Sequence, residues 1–360
     1  MILTRGARIT GSVLCAVLAS VVVCWIVRDL RAVGEPLDLL RHWAGFADAR
    51  PAGLPVTTRT DLALLAVCAA VFLTASRSPV AAAAMVATGV VTFALRLPSV
   101  WTIGASWTDG RHSDELRTRA LVGTFVTLAA ALALIVTGTA GRRQPLDVYE
   151  PLPTRPGQGA GTAAFLVFGA SAAVLGAWEI HYSSRMISGI YTDWLLGGRT
   201  VPMGLTDAPP GWANLALVAL CLVVAWSALL RAVHTRPLGM IAGAFLLLLG
   251  GLDVLRSVHH EVLEHFGDLA TQAQLAVLTS FFYTLTGTVG LLALSRRGLT
   301  DPGVQDPYGG YGHPPPPGHG HPPAEAAGYG PAAAGGPDGP GRFGPAPGFP
   351  PPPGPPPPGW

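Results

Sequence analysis

Eight stretches of the chain carry almost nothing but apolar side chains, at roughly 9–27, 62–76, 79–96, 120–140, 160–178, 213–230, 238–255 and 275–294. All but the short second one approach the about 17–25 residues that a helix needs to cross a bilayer. The pattern predicts an all-α polytopic membrane protein of about eight transmembrane helices. Only 12% of the 360 residues are charged, about half the share usual in soluble domains. Mean hydropathy is +0.43 even though the last part of the chain is polar and proline-rich. The apolar character is therefore packed into residues 1–297, which excludes a soluble enzyme. A net charge of +2 gives no basis for a nucleic-acid partner; the partner that composition implies is the lipid bilayer.

The first stretch follows Arg5 and Arg8, as a signal peptide would. Its apolar run is too long for that role and ends at Arg28 and Asp29 with no small-residue cleavage site, so it reads as a retained helix. Cys15, Cys24, Cys68 and Cys221 all lie in apolar runs, and no CxxC or CxxCH spacing occurs. They read as small buried hydrophobes, and no cofactor is expected. All 23 basic residues are arginine, a bias typical of a GC-rich bacterial genome.

Orientation follows from the short loops. With eight spans threaded, Arg5/Arg8, Arg77, Arg142/Arg143, Arg231/Arg236 and Arg296/Arg297 share one side. The positive-inside rule makes that side the cytoplasm and places both termini there, in the cell membrane. Arginines on the other side are spread over longer loops.

The chain also repeats its plan. A helix is followed by a long outer loop, a hairpin with a short basic turn, a second outer loop and a helix ending in Arg-Arg. Trp25 aligns with Trp178, Pro79 with Pro237, Ser99-Val100 with Ser257-Val258, and Arg142-Arg143 with Arg296-Arg297. The expected organisation is two parallel four-helix repeats, 1–143 and 160–297, joined by a cytoplasmic linker at 144–159. Ala81–Ala84, Ala129–Ala131, Gly239/Gly243 and Gly287/Gly290 are the small residues expected at helix interfaces.

Charge inside the spans is the usual functional signal in a membrane protein, and the span centres carry no Asp, Glu, Lys or Arg. Arg96 and Asp253 fall near outer span ends, where both are expected to reach water. The densest polar feature is His259-His260-Glu261-Val262-Leu263-Glu264-His265. It fits neither HExxH nor HxxEH. Its simplest reading is an amphipathic helix over 258–269 lying at the interface, with Val258, Val262, Phe266 and Leu269 on its apolar face. The candidate metal ligands are His260, Glu264 and His265, joined by Glu179 and His181 after the fifth span. No residues fit a catalytic pattern, so the expectation is a non-enzymatic protein.

From 298 to 360 the chain is rich in proline and glycine, including Pro314–Pro317 and a proline run from 350 to 358 broken at Gly354. Such a segment cannot bury enough apolar area to offset chain entropy, so a disordered cytoplasmic tail is expected. Its prolines and scattered aromatics suit a cytoplasmic protein that binds proline-rich sequence. The alternative functions are passive transport of a small neutral solute between the repeats, whose signature is a polar cavity there, and metal binding at the outer face.

Overall fold

Some of the helices start where a capping side chain meets the unpaired backbone N–H groups of the first turn, and others where a proline removes one of those N–H groups. The computed structural model describes residues 2–46, 55–108, 112–145, 150, 153–201 and 203–295. Helix α1 (Arg5–Val33) opens on Thr4, whose hydroxyl accepts from the Ala7 N–H. It closes at Gly34, with φ of 86°. The short α2 (Pro36–Ala44) has proline in its first turn and ends at Gly45 in the left-handed region. Helix α3 (Arg59–Ala75) opens on a capping box between Thr58 and Asp61. It turns at Ser76–Ser78 into α4 (Ala81–Arg96), which runs on into α5 (Ser99–Thr102). Helix α6 (Asp114–Ala140) is capped by Ser113 and carries Asp114 and Glu115 in its first turn.

The second part of the chain runs through α7 (Gln158–Arg185), α8 (Ser188–Leu196), α9 (Pro210–Leu229), α10 (Thr235–His259) and α11 (Thr271–Ser295). Apart from a two-residue ribbon, the described secondary structure is helical. In that ribbon β1 (Ile2–Leu3) pairs antiparallel with β2 (Arg142–Arg143), and Thr4 N–H donates to Gly141 O.

Among the described residues, seven helices are long and apolar enough to cross a membrane: α1, α4 with α5, α6, α7, α9, α10 and α11. Their outward faces expose Val13, Phe125, Leu166, Leu222, Leu278 and Leu285, as lipid-facing surfaces do. The chain fits a multi-pass membrane protein. Helix α3 is 17 residues long. It starts beside the long loops, where Thr57 and Asp61 are held, and it ends beside Arg8, which donates to Ser76 O. It therefore runs the length of the bundle between a loop end and a terminal end.

The larger apolar cores among the described residues lie within and between the two parts of the bundle. Leu18, Met85 and Leu134 centre one among α1, α3, α4 and α6; Phe168, Leu246 and Leu294 centre another among α7, α9, α10 and α11. Between them, Leu64, Val67, Val91 and Leu95 meet Ile241 and Phe245. Glycines set the closest approaches. A Cβ on Gly287 would stand 2.5 Å from Leu247 N, and one on Gly89 would stand 2.7 Å from Ala131 O. Small residues at these points let backbones touch where lipid offers no hydrophobic drive for association.

Two expectations are corrected here. Residues 258–269 are not one amphipathic helix. Helix α10 continues through His259 and then stops, Glu261 takes a φ of 54°, and only Phe266–Asp268 form a single 3-10 turn. The Val262 N–H donates to Ser257 O and the Glu261 N–H to Val258 O, a closure of the last carbonyls that ends the helix. Arg96 does not reach out to water: it is 8% exposed and paired with Asp61. The tail beyond residue 295, and with it the expected disorder, lies outside the described residues, as do Arg296 and Arg297.

Candidate functional site

Buried charge collects at the loop end of the bundle. Asp61, fixed in the first turn of α3 by the capping box, forms an ion pair with Arg96 at the end of α4. Arg96 also donates to Thr206 O at 2.6 Å, and Ser99 Oγ donates to the same carbonyl at 3.2 Å. Asp29, fully buried in α1, accepts from the Val56 N–H (2.9 Å), the Thr57 N–H (2.7 Å) and the Thr57 hydroxyl (2.6 Å). A buried carboxylate needs such partners, because unpaired it would cost several kcal/mol. The half-buried Asp207 stands close by and accepts from the Thr58 hydroxyl at 3.2 Å. Burial pushes its carboxyl up to about 6, and the Asp61 carboxylate adds to that rise.

Further contacts at this end join the part of the chain before residue 144 to the part after it. Arg59 pairs with Asp253 at 2.8 Å. The indole N–H of Trp101 donates to Leu196 O, and that of Trp212 to Ala94 O, both at 2.8 Å. Phe46 stacks on His259 with ring centroids 3.9 Å apart. Chemically this is a stitch: acids and bases are spent on each other and on loop carbonyls and amides.

The sequence-derived metal candidates fall into two places with different neighbours. Glu179 is buried at the end of α7, where it accepts from Asn214 Nδ2 at 2.7 Å and from the Tyr191 hydroxyl at 3.2 Å. His181 sits edge-on to Trp178 and beside Tyr182. His260 packs against Phe46 and His259, His265 Nδ1 lies 3.4 Å from Glu261 O, and Glu264 is exposed. Among the described residues, no three His, Cys, Asp or Glu side chains converge in a metal-holding group.

Sequence reasoning passed over Asp61, Arg96, Asp29 and Asp207 as functional positions. The Thr58-x-x-Asp61 spacing was a readable start signal for α3. Its pairing with Arg96, across 35 residues, is a tertiary fact that no local pattern carries.

Away from the charge, a cavity of about 470 Å³ lies between α4, α9 and α10. Ala87, Ala94, Ala216 and Ala219 line it, with Leu220 and Phe245. Its polar lining residues stand at its ends: Thr60 at the loop end, Arg142 and His234 at the terminal end. A larger groove of about 940 Å³ follows α1 from Arg8 to Trp25, along a face where Ile9 and Val13 are exposed.

No family model matches the sequence, and no curated protein or solved structure matches it either.

Proposed function

We propose that this chain is a non-enzymatic protein of the cell membrane, a rigid eight-span body whose proline-rich cytoplasmic tail recruits protein partners. The observation that carries this reading is where the buried charge goes. Asp61 with Arg96, Asp29 with residues 56 and 57, and Glu179 with Asn214 and Tyr191 hold helix ends and loops together. What remains for recruitment is the tail, with Pro314–Pro317 and Pro350–Pro353 among tyrosines and phenylalanines.

Equivalent packing in the two parts supports two parallel four-helix repeats. Helix α1 packs on α3 and α6 as α7 packs on α9 and α11, while α4 packs on α6 as α10 packs on α11. A nine-residue helix follows the first long helix of each part, α2 in one and α8 in the other. Gly89 meets Ala131 and Ile135 of α6, and Gly243 meets Gly287 and Leu291 of α11. Trp25 lies against Gly123, and Trp178 donates to Thr279. On this reading α3 is an eighth span, and the termini face the cytoplasm with the arginine-bearing turns.

The second reading, passive movement of a small neutral solute, draws on the cavity between the two parts. That lining is almost wholly apolar, which disfavours a polar solute by the cost of removing its water. Metal binding at the outer face would draw His260 away from Phe46 and His259.

Recruitment is tested by placing a photo-crosslinking residue at Tyr311 in intact cells. A discrete adduct with a second protein should form, and it should vanish when Pro314–Pro317 are replaced by alanine. An unchanged adduct in the alanine variant, or none at Tyr308, Tyr311 or Tyr329, would remove the tail from the function.

A further inference from the structure

From the cavity between α4, α9 and α10 we infer a specific lipid site: it holds one acyl chain of an anionic phospholipid, with the phosphate at Arg142 and His234. The lining decides the chemistry of the occupant. Alanine and leucine side chains give no partner for a polar solute, whereas an acyl chain needs none. The facing alanines of α4 and α9 keep the two helices from filling the space between them. On the two-repeat reading the equivalent seam runs between α3 and α10, and there Leu64, Val67 and Ile241 are buried instead.

Length and charge agree with this occupant. From Ala83 to Leu95 the α4 wall of the cavity is about 18 Å long at 1.5 Å per residue. That is a little over half of a hydrocarbon core about 30 Å thick, so it suits one chain of one leaflet. Arg142 and His234, both exposed, line the cavity towards its terminal end, on the side of that leaflet's headgroups. Arg142 is held there by its Nε, which donates to Gly138 O at 2.9 Å, and by the backbone pairing of β2 with β1. A guanidinium so placed recognises phosphate by charge and by paired N–H donors. Among the described residues, the cross-part hydrogen bonds and ion pairs named above lie at the loop end, away from Arg142 and His234.

The site is tested with the full chain purified in mild detergent, washed free of loose lipid, and offered phosphatidylglycerol or phosphatidylcholine in mixed micelles. Native mass spectrometry should show one phosphatidylglycerol retained at least tenfold more readily than phosphatidylcholine. Arg142→Gln with His234→Gln should bring the two lipids to similar retention. Ala216→Leu should fill the cavity and remove the retained lipid while leaving lipid on the outer helix faces unchanged. Ala219→Leu serves the same end if the first variant does not fold. Equal retention of both lipids by the wild type would overturn the headgroup assignment. Unchanged retention in the filled variants, or no retained lipid, would overturn the site. None of these readouts involves the tail, so failure here leaves recruitment to be judged by its own crosslink.

Discussion

At the loop end, Asp207 carries a charge that burial and the nearby Asp61 carboxylate make costly to the fold. It titrates at about 6 in the folded chain against 3.8 for an unperturbed aspartate. Between those values the folded chain binds more protons than the unfolded one, so this group's contribution falls as pH rises through about 4 to 6 and is level above. Asp207→Asn removes the charge and keeps an acceptor for Thr58 Oγ1 and for the Ala208 N–H. Thermal unfolding in detergent should find the variant more stable by about 1–2 kcal/mol near pH 7.5, the half-buried carboxyl keeping part of its water. Near pH 4 the two proteins should melt together. A gain of the same size at both pH values would mean that charge is not the cause. At this scale the sequence was least legible. It located Arg96 and Asp253 at span ends, but not that Arg96 turns inward to Asp61 or that Asp253 bridges to Arg59. Each partner comes from a distant element.

Apolar runs placed the spans at 62–76 and 120–140 but missed the polar first turns that follow Thr58 and Ser113, and helix ends were illegible where the usual marker is missing. After His259 the chain closes α10 with the left-handed residue that glycine normally supplies, and here it is Glu261. The same closure ends α9 at Arg231, with φ of 50°, and Ala232 N–H donates to Ser227 O. With no glycine to announce the stop, apolar spacing from Val258 to Leu269 read as an amphipathic helix at the interface. Glu261→Gly separates the two descriptions by sign. At a left-handed position glycine relieves strain and should raise stability by about 1 kcal/mol. Inside an uninterrupted helix it would lower stability by a similar amount. Urea or thermal unfolding of the purified variant reads the sign directly.

For the whole molecule, the bilayer itself made the spans legible, because it dictates how long and how apolar a crossing helix must be. Seven of the eight expected spans meet that standard, and the eighth, α3, runs the bundle's length with 17 residues. The cavity between α4 and α9 was not legible, because alanines read equally well as tight packing. Topology is tested with single cysteines after Cys15, Cys24, Cys68 and Cys221 are replaced by alanine. Those at Arg77, Arg143 and Arg231 should resist an impermeant thiol reagent in intact cells, and those at Glu35, Ser106 and Asp268 should label. Arg77 labelling together with Glu35 would mean that α3 does not cross.

The ribbon between Ile2–Leu3 and Arg142–Arg143 also sets a timetable. A ribosome adds about 5–20 residues per second, so on the order of 10 s separates synthesis of the first strand from synthesis of its partner. During that interval α1 to α6 emerge while the chain's opening residues have nothing to pair with. The clasp can close only after α6 has left the ribosome, at a point when most of α7 to α11 has yet to be made. Birth order thus lets the ribbon tie α1 to the end of α6 before the later helices arrive to dock.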